Sequence, residues 1–222
     1  MFISKTKYCF LLFSLLFATV GNAQKVYLET GFESAYFKDY VNNLGEDSLD
    51  VKYSKTPQLF LEGGFLFDLY KERLKWDLGV SYNSYKINTG FFAGKVSIPL
   101  TYDLAYVALK AGLNYAFVNQ PTFKLQVHMH LSYDLLTSGS SKYKNVVNNL
   151  LTDNTLDRSL IRYHRGLSGT YIISDNLSIY LNYNVADSFK EKNKDSNAEE
   201  KYSLHTNAVS FGLLFNLQPL RH

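Results

Sequence analysis

The chain has 222 residues and one cysteine, 46% of its residues are hydrophobic, and its formal net charge at pH 7 is +3. Lys5 and Lys7 contribute two of these charges, which leaves +1 for the rest of the chain. A nearly neutral chain offers no electrostatic surface for nucleic-acid phosphates, so nucleic acid is excluded as a partner.

The first 23 residues have the pattern of an export signal. Two lysines precede an apolar run over residues 8–20, and Gly21 and Ala23 place small residues where a signal peptidase cuts. We therefore expect residues 1–23 to be removed as a signal peptide. Cys9 lies inside the apolar run, so the mature chain is expected to contain no thiol, disulfide or thiolate metal ligand.

Alternation of bulky apolar and polar residues with a period of two recurs along the remaining chain and predicts β-strands. Nine segments show it: 26–37, 58–70, 75–87, 95–102, 107–117, 123–135, 160–173, 177–185 and 204–217. Short turn signals at residues 71–73 and 174–176 separate neighbouring segments. Many closely spaced strands predict an all-β sandwich or barrel.

The direction of the apolar face decides between two kinds of barrel. A soluble, lipocalin-like barrel would hold this face inside, but the interior of a barrel of ~8 strands is only just wide enough for its side chains. Nine strands with about five large apolar side chains each would overfill it. We therefore predict that residues 24–222 form an all-β, antiparallel transmembrane β-barrel of 8 to 10 strands, with a polar, charge-paired lumen.

Aromatic residues near the ends of the predicted strands fit the interfacial girdles of such a barrel. They are Tyr36, Phe67, Tyr82, Tyr102, Tyr115, Phe117 and Tyr133. The expected location is the outer membrane of a bacterial cell.

Several short motifs resemble the small porin-like outer-membrane β-barrels of Bacteroidota, which are loosely similar to OmpX-type barrels. They are GF at 31–32, DLGVSY at 77–82, VSIPL at 96–100, LKAGL at 109–113 and GLLF at 212–215. The chain departs from this family in continuing through residues 218–222 after the last aromatic residue. The resemblance implies a fold and a membrane, and no single activity.

The strand number depends on residues 137–159. Their apolar residues follow helical spacing, which fits a short amphipathic helix, but a further strand is also compatible with this segment. Both eight and ten strands therefore stay open. The long polar segments 39–56 and 188–202 are expected to be extracellular loops, because barrels of this kind keep their periplasmic turns short.

Charged and polar side chains of the inward parity are the candidate site of this chain. They are Glu29, Glu33, Glu62, Asp77, Lys95, Lys110, Lys124, His128 and His130, together with Arg162. Opposite charges in a narrow barrel can pair and plug it. We therefore expect a structural or interaction barrel without catalytic activity, with a small passive channel as the alternative.

His128 and His130 lie two residues apart on the polar face of one predicted strand. Such a pair can bind a metal ion if a third ligand converges, and His164 and Glu62 have the right parity. Neutral imidazoles bonded to carboxylates or water serve equally as polar filler of a lumen. We favour the filler interpretation, so no metal ion and no cofactor is expected.

Ser203 and His205 raise a third possibility, an enzyme that acts on outer-leaflet lipid. Both residues have the lipid-facing parity, and a serine with a histidine base can attack an acyl ester. No third member is identifiable nearby in the sequence, so we do not expect an enzyme. The expected partners are outer-membrane lipid and a surface or secretion-machinery protein.

Overall fold

A computed structural model describes residues 25–41, 55–93, 96–144, 146–152, 156, 158–189 and 201–217. The proposed signal peptide and Lys95 lie outside the described residues, as do the middle parts of both predicted long loops. The strands are β1 (Lys25–Val41), β2 (Gln58–Tyr70), β3 (Leu74–Ala93), β4 (Val96–Asn119), β5 (Phe123–Tyr143), β6 (Val146–Asn149), β7 (Ser159–Ser174), β8 (Leu177–Ser188) and β9 (Lys201–Asn216). No helix in the described part of the chain is long and apolar enough to cross a membrane.

Eight of these strands close into a ring. Each pairs antiparallel with its neighbour in the order β1, β2, β3, β4, β5, β7, β8, β9, and β9 returns to β1. The short β6 pairs with the end of β5 and lies outside the ring. Closure leaves no free sheet edge within the ring, which is the condition for a sheet to stand in lipid.

The two ends of the barrel differ in their connections. Short turns at residues 71–73, 120–122 and 175–176 lie at the same end as Lys25 and Asn216. Lys71 and Glu72 adopt positive φ angles of 44° and 55° in the first of these turns. The longer connections lie at the opposite end, which we call the outer end, in agreement with short periplasmic turns.

Two sequence interpretations are wrong in detail. Segments 95–102 and 107–117 were predicted as separate strands, but residues 96–102 and 107–117 belong to the single strand β4. The helix considered for residues 137–159 is absent from the described part of that segment, where β5 continues to Tyr143 and β6 follows. Eight strands in the ring is therefore the outcome.

Apolar side chains of the ring face outward, as the volume argument predicted. Leu59, Leu61, Val80, Leu109, Leu131 and Val209 are all more than half exposed on the outside, and Met129 is 71% exposed. The opposite faces carry the polar residues, which are buried in the lumen. This is the inverse of a soluble barrel and matches a lipid-facing surface.

Towards the outer end the apolar residues change sides. A buried cluster, which we call the apolar plug, fills this end of the lumen: Ala35, Phe37, Tyr85, Ile87, Leu104, Tyr106, Leu136, Leu150, Leu156, Leu160, Tyr202 and Leu204. Tyr102 packs against this cluster and meets the Phe37 ring edge-on at 5.1 Å, so its assignment to an outward girdle is wrong. A buried hydrophobic cluster therefore lies above the polar part of the lumen.

Gly112 marks a close approach of β4 to β5. A methyl group at this position would collide with the Met129 backbone carbonyl and with His130. Neither can shift without breaking the ladder between the two strands. The glycine therefore permits the tight coiling of the ring.

We expect Gly112→Ala to lower the free energy of unfolding by about 1–3 kcal/mol, because the added methyl overpacks the lumen. Urea unfolding of the refolded protein in lipid vesicles measures this change. Gly169→Ala is the matched control, since its methyl would meet Leu125 and Phe123 at ordinary distances of 3.6 and 3.8 Å. An equal loss in both variants would contradict the role of close approach at Gly112.

Candidate functional site

A guanidinium at mid-lumen joins several strands across the barrel. Arg162 on β7 donates from Nη1 to Tyr85 Oη at 2.7 Å and to Asp134 Oδ2 at 3.0 Å. Its Nη2 donates to Thr206 Oγ1 and lies 3.5 Å from Glu33 Oε1. Arg162 is 1% exposed, so this layer, which we call the Arg162 layer, spans the lumen directly below the apolar plug.

A second ion pair lies nearer the periplasmic end. Lys110 Nζ on β4 is 2.5 Å from the Glu62 carboxylate on β2. Tyr27 on β1 donates to the same carboxylate at 2.8 Å. Glu29, also on β1, accepts instead from neutral donors: Ser210 at 2.6 Å, Tyr180 at 2.8 Å and Asn182 at 3.0 Å. The buried carboxylates are thus compensated by either a cation or several hydrogen bonds.

The histidine pair takes part in the same network. His130 Nε2 lies 2.7 Å from Asp77 Oδ2, but the geometry of this contact is not that of a hydrogen bond. Asn114 donates to the same carboxylate at 2.5 Å. The His128 ring stacks on the His130 ring, with centroids 4.9 Å apart. The two stacked imidazole rings therefore line one side of the lumen together.

His164 faces the pair from β7 and has its own partners. Ser132 Oγ donates to Asp134 Oδ1 at 2.5 Å, so its lone pairs are left to accept from His164 Nε2 at 2.8 Å. His164 Nδ1 then accepts from the Asn184 amide at 3.1 Å. This pattern assigns a neutral imidazole protonated at Nε2, with a hydrogen bond at each ring nitrogen.

Metal binding by these residues gains no support from the geometry. Within the described ranges, no group of three or more His, Cys, Asp or Glu side chains could hold a metal ion. A cavity of about 60 Å³ adjoins His128, His130, Glu29 and Asp77, large enough for a few water molecules. Water there would bond the His128 Nε2 and Asp77 Oδ1 atoms, which have no partner among the described residues.

The periplasmic end carries two lysines that pair with acids of β2 and of the turn that follows it. Lys124 Nζ donates to Glu72 Oε2 at 3.0 Å. This hydrogen bond and the lysine charge lower the pKa of Glu72. Lys75 Nζ lies 3.5 Å from Asp68 Oδ1 beside it.

The structure places the predicted lumen residues that it describes inside the barrel and pairs most of them. The residues concerned are Glu29, Glu33, Glu62, Asp77, Lys110, Lys124, His128 and His130. Sequence reasoning missed Tyr85 and Thr206, which complete the Arg162 layer with Asp134. Their inward parity was a visible signal, since Tyr85 shares the parity of Asp77 on β3 and Thr206 that of Ser210 on β9.

A separate polar group lies on the outside of the barrel near the outer end. His205 Nδ1 on β9 is 2.5 Å from Asp187 Oδ1 on β8, and Arg165 Nη1 on β7 is 3.0 Å from Asp187 Oδ2. Ser203 is buried and donates from Oγ to the Ser188 carbonyl at 2.8 Å. Asp187 is the neighbour of His205 that sequence reasoning did not find.

Comparison with known proteins identifies the fold. No family model and no curated protein matches the chain. The solved structure of Neisserial surface protein A is similar, with a TM-score of 0.52, 10% identity, and coverage of 87% of this chain and 96% of that chain. The outer membrane protein OprG from Pseudomonas aeruginosa has a TM-score of 0.50, 12% identity, and coverage of 88% and 97%.

The chain has the fold of small outer-membrane β-barrels. At identities of 10% and 12% the likeness carries the fold alone. The closed ring and its outward apolar side chains agree with it. The protein is therefore an integral β-barrel of the cell outer membrane.

Loss of the Arg162 charge tests the central layer. We expect Arg162→Met to lower the free energy of unfolding by about 3–5 kcal/mol, because Asp134 and Glu33 would stay buried without their cation. Adding Asp134→Asn should restore part of this loss. Urea titration in lipid vesicles measures both variants, and a loss below about 1 kcal/mol in Arg162→Met would contradict an essential charge layer.

Proposed function

We propose that the protein is a closed outer-membrane barrel with a structural or surface-interaction role, and that it neither conducts solutes nor catalyses a reaction. The observation that carries this proposal is the succession of two obstructions in the lumen. The Arg162 layer crosses the barrel at mid-height, and the apolar plug fills the lumen above it.

The passive channel is the alternative for the same lumen. A channel requires a continuous wet path, whereas Tyr85, Tyr106, Ile87 and Leu204 are at most 2% exposed across the outer half of this lumen. Hydrophobic side chains packed at this density exclude water. The cavity beside His128 lies below both obstructions and so supports a water pocket more than a pore.

The outer end also supports an interaction role. β5 continues to Tyr143 beyond its pairing with β7, and β6 pairs with this extension. Val146 and Val147 of β6 are 56% and 62% exposed. A strand that lies outside the ring and exposes two valines offers a surface for another protein, in keeping with the surface or secretion partner expected from the sequence.

Conductance measurements test the closed barrel. We expect no stepwise current when the refolded wild type is inserted in a planar bilayer, because both obstructions are intact. Arg162→Ala with Tyr85→Ala removes the contact that links the two obstructions, and it should admit a leak current. Arg73→Ala with Tyr82→Ala removes the same residue types from exposed positions and should not. Regular current steps from the wild type would favour the channel.

A second candidate, hydrolysis of an acyl ester in the outer leaflet, is favoured by one observation. Asp187 holds His205 Nδ1 at 2.5 Å, as the acid of a Ser–His–Asp triad does. In hydrolysis Ser203 Oγ would bond to the ester carbon, His205 would pass the serine proton to the departing alcohol, and water would release the fatty acid. Against it, the Ser203 hydroxyl is buried and bonded to the Ser188 carbonyl.

Mass spectrometry of outer-membrane lipid after incubation with the refolded protein tests the second candidate. We expect the acyl chains to stay intact with the wild type and with Ser203→Ala alike. Ser34→Ala, a serine of lipid-facing parity on β1, is the matched control. Deacylation by the wild type and by Ser34→Ala, lost in Ser203→Ala, would establish the hydrolase and overturn the non-catalytic role.

A further inference from the structure

A continuous ribbon of polar and aromatic contacts runs round the outside of the barrel near its outer end. Lys55 Nζ lies 4.8 Å from the Tyr36 ring centroid, and Tyr36 lies 4.7 Å from the His205 ring. Asp187 joins His205 to Arg165, whose Cζ is 5.3 Å from the Tyr163 ring. We call this set, with Lys38 opposite Ser203 on β1, the outer ribbon.

The height of the outer ribbon coincides with the outer edge of the lipid-facing band. Phe215, Phe211 and Val209 are exposed apolar residues on β9 below His205. Ten residues separate Phe215 from His205, which at ~3.3 Å per residue and a tilt of roughly 40° is about 25 Å along the membrane normal. An apolar band of a transmembrane barrel is about 25 Å tall. The outer ribbon therefore stands at the level of lipid headgroups.

The charges of the outer ribbon are unbalanced. Lys38, Lys55 and Arg165 are cations and Asp187 is its carboxylate, so the excess is positive before His205 is counted. Lys38 and Lys55 are exposed, and Arg165 is 49% exposed. Placing a lone cation at this height costs only about 0–1 kcal/mol of stability. The position of these side chains therefore does not by itself require a bound ligand. Three cations and one carboxylate leave a net positive charge along the outer ribbon, which attracts an anion.

We propose that the outer ribbon binds the phosphate-bearing headgroup of an outer-leaflet lipid. Arg165 offers a planar donor fork suited to phosphate oxygens, and the two lysines add point charges, Lys38 from β1 and Lys55 from the segment just before β2. The acyl chains of the same lipid would lie against the apolar residues below, such as Val209 and Leu181. The site serves a closed barrel and a channel equally, so it does not depend on the state of the lumen.

Native mass spectrometry of the refolded protein with bisphosphorylated lipid A, and with its dephosphorylated form, tests the proposal. The wild type should retain the phosphorylated lipid preferentially. Lys38→Gln with Lys55→Gln leaves Asp187 paired, and it should weaken retention about fivefold per lysine removed. Lys71→Gln with Lys144→Gln is the matched control, because these two exposed lysines also lie over tyrosine rings but outside the outer ribbon.

Each further result decides the proposal. Retention that falls at high salt supports a charge-based site. Displacement of the lipid by millimolar inorganic phosphate would show a free-phosphate site and overturn the lipid assignment. Equal retention of both lipid forms, or an equal loss in the control variant, would also overturn it. Faster gel migration without heating confirms that each variant is folded, and Lys38→Gln alone replaces the double variant if that fails.

Discussion

The Arg162 guanidinium lies among oxygen atoms from β1, β3, β5 and β9, while its own strand is β7. Backbone ladders connect each strand only to its neighbours, so side-chain contacts of this kind are what join strands across the lumen. Burying the Arg162 cation without its carboxylates would cost several kcal/mol. Burying the Asp134 and Glu33 carboxylates without that cation would also cost several kcal/mol. The Arg162 layer therefore joins five strands at one level, with the polar network on its periplasmic side and the apolar plug on its outer side.

The change of face by the apolar residues follows from what surrounds each part of a strand. Within the membrane, lipid contacts the outside and apolar side chains point outward. Beyond the membrane, water contacts the outside, so Leu104 and Tyr106 point inward on the same strand where Val107 and Leu109 point outward. The alternation pattern predicted two separate strands on either side of this switch in β4. A switch without a turn signal indicates a strand that leaves the membrane.

The composition and the alternation of apolar and polar residues were sufficient to predict the barrel, its outward apolar face and the inward parity of its charged residues. The partners of the buried charges could not be predicted, because they depend on the register between strands that are distant in the sequence. Arg162 and Glu33 are 129 positions apart, and Asp187 lies 18 positions before His205. Single-sequence patterns reveal only neighbours on one strand, such as His128 and His130. For the same reason the third member beside Ser203 and His205 was visible only after β8 and β9 were paired.

Lysines in this protein occupy two environments that differ in how charge is compensated. Lys110 is enclosed by the lumen, where low polarizability demands a partner, and Glu62 supplies it at 2.5 Å. Lys38 and Lys55 stand on the outside at headgroup height, where water or lipid phosphate can compensate them. An excess of positive charge is therefore tolerable on the outer ribbon and would be prohibitive at Lys110. Charges are paired inside the barrel and cations are in excess outside it, because the lumen and the outer surface are exposed to different surroundings.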